Sequence, residues 1–136
     1  FVVIRDAGVK QKLRTIYDEM VAQYLGGRPQ TGQTPWTEVP VLIAVCTEGE
    51  GAGAMPPSIF PAVQNLLLAA HTLGLGSVLT TLWKAREADV KAVLKLPDAF
   101  EVHAILPIGY PDRQYGRGKR RPVSEVTYRD GYGTPW

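Results

Sequence analysis

Residues 61–87, PAVQNLLLAAHTLGLGSVLTTLWKARE, carry the pattern on which the fold turns. Ser58 stands where an N-cap would and Pro61 is tolerated in a first turn, so a helix is predicted from about Ile59 to Leu73. It is apolar nearly all round, and such a helix has to be buried, against the rest of the chain or against a second subunit. A stripe of Val63, Leu66, Leu67 and Ala70 can face one core, which leaves Leu68 and other apolar groups for another surface. Gly74-Leu75-Gly76 ends the helix, and Ser77–Leu82 follows as a short strand or extended segment of high β propensity. A second helix is predicted from about Ala85 to Leu96, with Val90, Val93 and Leu94 inward.

The flanks repeat the alternation. Val102–Ile108 reads as a further buried strand closed by Gly109-Tyr110-Pro111, and the continuous apolar run Val39–Cys46 reads as a strand covered on both faces. Between them, GEGAGAMPPS (residues 49–58) reads as a flexible loop. Upstream, Asp6 can cap a long amphipathic helix whose apolar positions Val9, Leu13, Ile16, Tyr17, Met20, Val21 and Tyr24 recur at steps of three and four, stopped by Gly26-Gly27. Residues 28–40, RPQTGQTPWTEVP, have no period and many breakers, so they form a connection with Trp36 as its one apolar anchor. Phe1-Val2-Val3-Ile4 looks like a buried strand with no leader before it, from which a missing beginning is expected. Strands alternating with helices argue an α/β or α+β layer architecture.

At 136 residues the chain is one domain's worth, at roughly 100–200 residues per domain. No apolar run approaches the ~18 residues of a spanning helix. Fifteen Lys and Arg against thirteen Asp and Glu leave a formal charge of +2, too little for a chain-wide nucleic-acid footprint. The single cysteine, Cys46, excludes an intrachain disulfide and makes a reducing, cytoplasmic compartment the expectation.

The common catalytic signatures, GxGxxG, the P-loop, HExxH and GxSxG, are absent from the sequence. A Ser/His/Asp set can be assembled on paper from Ser58, His71 or His103, but chance supplies such a set in most chains. His71 reads as lying on the less buried stripe of its helix, His103 as a satisfied strand residue and Cys46 as an inert small hydrophobe. The tail from Arg113 to Pro122 is more informative, with five cations in nine residues and two glycines that let the backbone approach a ligand. Guanidinium groups at that density suit a phosphate by bidentate hydrogen bonding. A solvated basic loop and an arginine-rich nucleic-acid element are the competing readings.

PAVQNLLLAAHTLGLGSVLTTLWKARE, followed by LKLPDAFEVHAILPIGYP (94–111) and KRRPVSEV (119–126), resembles in that order the nitroreductase family of FMN-dependent oxidoreductases. The resemblance implies a single α+β domain over residues 1–136, with a three-layer fold and a mixed sheet flanked by helices. It further implies a homodimer with FMN at its interface, NADH or NADPH as donor, and hydride transfer through flavin N5 to nitroaromatic, quinone or related acceptors. By family pattern Leu79, Thr80 and Thr81 meet the flavin ring, and Arg117, Lys119 and Arg120 approach the phosphate, with Arg121 an alternative in the same register. The cofactor carries the redox chemistry, so no catalytic acid or nucleophile is needed from the protein. A flavin-binding protein of the same fold without turnover and a small basic nucleic-acid-binding domain are the alternatives. The family's Arg/Ser-rich helix and Asn-Gln-Pro-Trp-like segment would precede Phe1, so the chain is expected to correspond to the C-terminal two-thirds of a nitroreductase.

Overall fold

The computed structural model describes residues 1–24, 26, 34–49, 58–113, 116 and 118–136, and the elements named below lie within them. Four strands, β1 (Val2–Ile4), β2 (Val41–Glu48), β3 (Gly76–Ser77) and β4 (Phe100–Gly109), form one sheet in the order β1-β2-β4-β3. Three α-helices, α1 (Ala7–Tyr24), α2 (Ile59–Thr72) and α3 (Glu87–Leu94), and a 3-10 helix at Leu82–Arg86 cover its faces.

The three layers follow from period-two alternation in the central strands. Leu42 and Ala44 of β2, with Val102 and Ile105 of β4, face a core that they share with Leu13, Ile16 and Tyr17 of α1, Trp83, and Val90 of α3. Val45, Ala104 and Leu106 face the opposite core, built with Ile59 and Val63 of α2. Both central strands are thus covered on both faces, as their unbroken apolar runs require. The α+β three-layer arrangement stands.

The sheet among the described residues is antiparallel throughout, where a mixed sheet was expected. β2 and β3 do run in the same direction, but β4 is inserted between them, so no parallel pair forms. β1 also differs from its reading as a buried strand. Among the described residues it is an edge strand paired with β2 alone, and Val3, opposite Ile43, is largely exposed because α2 lies over the β4–β3 side.

Local signals held in several places. Asp6 Oδ1 accepts the Val9 N–H at 2.8 Å, which caps α1, and the helix ends at Tyr24, short of Gly26. Tyr24 itself is exposed. Trp36 is buried against Tyr17, with ring centroids 4.9 Å apart, and so anchors its connection. Gly27 of the helix stop, residues 28–33 of that connection and residues 50–57 of the loop lie outside the described residues. Ser58 occupies the N-cap of α2 but its hydroxyl makes no capping bond. The predicted helix from Ala85 to Leu96 resolves into the 3-10 helix and α3, which stops where Lys95 takes a left-handed conformation two residues before Pro97. Of the predicted strand 77–82, only Ser77 and a single bridge at Thr80 pair with β4.

Candidate functional site

The segment after β3 is fastened to β4 through one residue. Thr80 N–H donates to the Ile105 carbonyl at 3.2 Å, Ile105 N–H donates back to Thr80 at 3.2 Å, and Thr80 Oγ1 donates to the same Ile105 carbonyl at 2.6 Å. The fully buried Trp83 adds an Nε1–H bond to the Thr80 carbonyl at 3.2 Å. With Thr80 turned inward, its neighbours in the extended chain turn outward: Leu79 is 39% exposed and Thr81 is exposed. Of the three residues assigned to the flavin ring, Thr80 is an anchor whose hydroxyl is committed to the backbone. Leu79 and Thr81 are presented to solvent.

The basic tail leaves the sheet at Gly109, which pairs with Gly76. A Cβ at Gly109 would come within 2.8 Å of Pro40 Cδ, so only glycine allows the β2 entry and the β4 exit to close on each other. Four residues separate this exit from Ile105, or ~13 Å of strand rise, so the two predicted groups of site residues are mounted at different points along β4. In the tail, Arg120 folds back so that Nη1 donates to the Lys119 carbonyl at 3.1 Å and lies over Gly118, where a Cβ would meet it at 2.6 Å. Lys119, Arg120 and Arg121 are all exposed, and among the described residues none of them forms a salt bridge. Arg117 lies outside the described residues.

Among the described residues, Cys46, His71 and His103 form no hydrogen bond with either group. Burial pushes the half-buried Cys46 thiol above its ordinary value, which suits an inert thiol. His71 is exposed on α2. His103 is 1% exposed, with Nε2 2.6 Å from Thr47 Oγ1.

Sequence reasoning passed over two arrangements around this scaffold. Lys10 is buried on α1, where its Nζ donates to the carbonyls of Val39 at 2.8 Å and Thr37 at 3.3 Å, tying the Trp36 connection to the helix. Its spacing of three from Leu13 put it on the inward stripe and was the available signal. The second is the Lys84–Glu87 pair at 2.5 Å, which holds both backbone groups of Val102: Nζ donates to its carbonyl at 2.9 Å and Oε1 accepts its N–H at 2.7 Å.

Residues 3–110 match the family described as the nitroreductase family. The chain belongs to the nitroreductase family. Within it, the chain is 32% identical over 124 residues to an iodotyrosine deiodinase from Thermotoga neapolitana, an alignment that covers 82% of this chain and 65% of the relative. It is 34% identical over 86 residues to a protein from Methanothermobacter thermautotrophicus that carries the name NADH dehydrogenase/NAD(P)H nitroreductase, covering 58% of this chain and 44% of that one. The chain thus spans about two-thirds or less of the curated nitroreductase relatives it matches. A crystal structure of an iodotyrosine deiodinase bound to FMN and 3-iodo-L-tyrosine superposes with a TM-score of 0.74, covering 96% of this chain and 74% of that one at 24% identity, which establishes the shared nitroreductase fold.

Proposed function

We propose that this nitroreductase-family chain is part of an FMN-dependent oxidoreductase that moves reducing equivalents from NADH or NADPH to a nitroaromatic, quinone or related acceptor. The observation that carries the reading is the family match over residues 3–110. The residues present suit a flavin mononucleotide. Val78 and Leu79 offer exposed apolar surface beside Thr81 on a segment that Thr80 makes rigid, and the tail offers exposed guanidinium and ammonium groups.

When bound, FMN supplies the hydride chemistry at its N5. The protein's work is then binding and orientation. Leu79 and Thr81 line the ring, and Thr80 and Trp83 hold them in place. Lys119 and Arg120, with Arg117 and Arg121 in the same stretch, bind the phosphate by charge-assisted hydrogen bonds. A homodimer belongs to this reading, because α2 turns Phe60 and Leu68, and its C-cap Leu73, to solvent while Val63, Leu66 and Leu67 pack on its own core and Ala70 is buried. An apolar helix face of that kind marks an interaction surface.

The deiodinase relative at 32% identity favours a second reading in which the acceptor is a halogenated phenol such as 3-iodotyrosine. One assay separates the readings. The purified protein is mixed with FMN, and NADH or NADPH is added under anaerobic conditions; bleaching of the flavin absorbance and its return on adding a nitroaromatic or quinone is the expected result. Reoxidation by 3-iodotyrosine alone would favour the second reading. Bound flavin that neither donor bleaches would leave a flavin-binding protein without NAD(P)H turnover, and rejection of FMN would contradict both.

A further inference from the structure

The segment that carries Leu79 and Thr81 grips β4 at two points, Ile105 through Thr80 and Val102 through the Lys84–Glu87 pair. Between those grips the sheet register breaks. Val45 stands opposite Ala104 and Cys46 opposite Val102, so His103 is the extra residue of a β-bulge. A bulge leaves part of the ladder unpaired, and the Lys84–Glu87 pair supplies partners to Val102 there. Loss of the bulge would slide one grip against the other by one residue, about 3.3 Å, and reverse the faces of the strand beyond it.

His103 fills the bulge with a buried imidazole whose Nε2 meets Thr47 Oγ1, while Nδ1 has no hydrogen-bond partner among the described residues. A neutral ring leaves one lone pair or one N–H unanswered at Nδ1. An imidazolium would instead bury a second N–H donor and a full charge at the same site, which is far more costly. The charged groups acting on the ring are Lys84 from the 3-10 helix, Glu87 from α3 and Glu101 from β4 itself; from β2, the ring meets Thr47, while the Cys46 thiol packs toward the other core.

We propose that His103 is a proton-sensitive positioning residue: neutral, it pins the β4 bulge and through it the Leu79–Thr81 segment, and its protonation loosens the Thr80–Ile105 bridge. Burial first, and then Lys84, hold the imidazole below its ordinary value of 6.5, whereas Glu101 and Glu87 oppose this more weakly. The sign follows from that direction. The pinned state binds fewer protons than the open one, so pinning is complete above the ordinary imidazole value and weakens as pH falls from there toward the depressed value. The consequence for ligand rests on the flavin reading above; the consequence for the backbone does not.

Amide hydrogen exchange at Thr80 and Ile105, corrected for intrinsic rates and followed from about pH 7.5 to about pH 5, tests the pin without any ligand. Protection in the wild-type protein should fall progressively once the pH drops below the ordinary imidazole value. In His103→Gln it should be flat, and in Glu101→Gln the fall should begin at the same pH but continue to lower pH and become larger, because a carboxylate that favours the imidazolium in the pinned state is gone. Should His103→Gln fail to fold, the extended fall in Glu101→Gln decides. Equal slopes in all three proteins, or a flat wild type, would overturn the proposal. With FMN added, the dissociation constant should rise on acidification more in the wild type than in His103→Gln, and the titration of the phosphate itself is common to both. Failure to bind FMN at any pH would strike the flavin reading alone and leave the exchange result to judge the pin.

Discussion

Residues 79–87 and residues 116–136 carry the two halves of the proposed cofactor site and are built in opposite ways. The first segment is tied into the sheet by Thr80, Trp83, Lys84 and Glu87, with Trp83 completely buried. The second folds only on itself within the described residues. It makes the 3-10 helix Val123–Glu125, a Tyr128–Tyr132 ring pair at 4.7 Å and a turn closed by Arg129 N–H to the Thr134 carbonyl at 2.9 Å, yet every described residue in it except Thr127 is exposed. The conformation of the first is fixed by its own chain. That of the second is held by short-range bonds, which are worth little in water.

The contrast can be broken most forcefully at Trp83. Trp83→Ala should cost about 3–5 kcal/mol, because it removes a completely buried indole and the bond to the Thr80 carbonyl. Urea unfolding would read the loss as a lower midpoint; an unchanged midpoint would mean that the segment is not seated as described. Lys10→Met should follow at about 1–3 kcal/mol, since the Thr37 and Val39 carbonyls lose a charge-assisted donor while the aliphatic volume is kept. In the tail, Arg121→Ala should shift the same midpoint by no more than about 0.5 kcal/mol, as expected of an exposed side chain. The smallest effect on protomer stability is expected for Leu68→Asp, exposed at 53% on α2, and its readout is assembly. Sedimentation should show a smaller species than the wild type, and an unaltered mass would remove α2 from the interface.

Much of this division was legible in the residues, and the gaps have physical causes. The cap at Asp6, the inward stripe of α2, the anchor at Trp36 and the exposed basic tail all follow from short-range spacing, which a single sequence displays. Thr80 and Thr81 are chemically identical neighbours, and only pairing with Ile105, 25 residues away, decides which one turns inward. The bulge at His103 is equally hidden. EVHAILPIG is apolar on both faces, so its alternation gives no sign that a residue has been added, and the mismatch exists only relative to β2. The antiparallel order likewise depends on β4 entering between β2 and β3, a long-range choice that strand composition does not encode.

Paired titrations with FMN and riboflavin, followed by quenching of flavin fluorescence, separate the tail's role from that of the anchored segment. Arg120→Ala should weaken FMN by about 1.5–3 kcal/mol, roughly tenfold to 150-fold, the value of a charge-assisted hydrogen bond. Riboflavin, which has the ring but no phosphate, should bind the variant nearly as it binds the wild type. Equal losses for both ligands would place Arg120 at the ring or in the fold and contradict the assignment of the phosphate to the tail. Wild-type protein that binds neither ligand would contradict the flavin site as a whole.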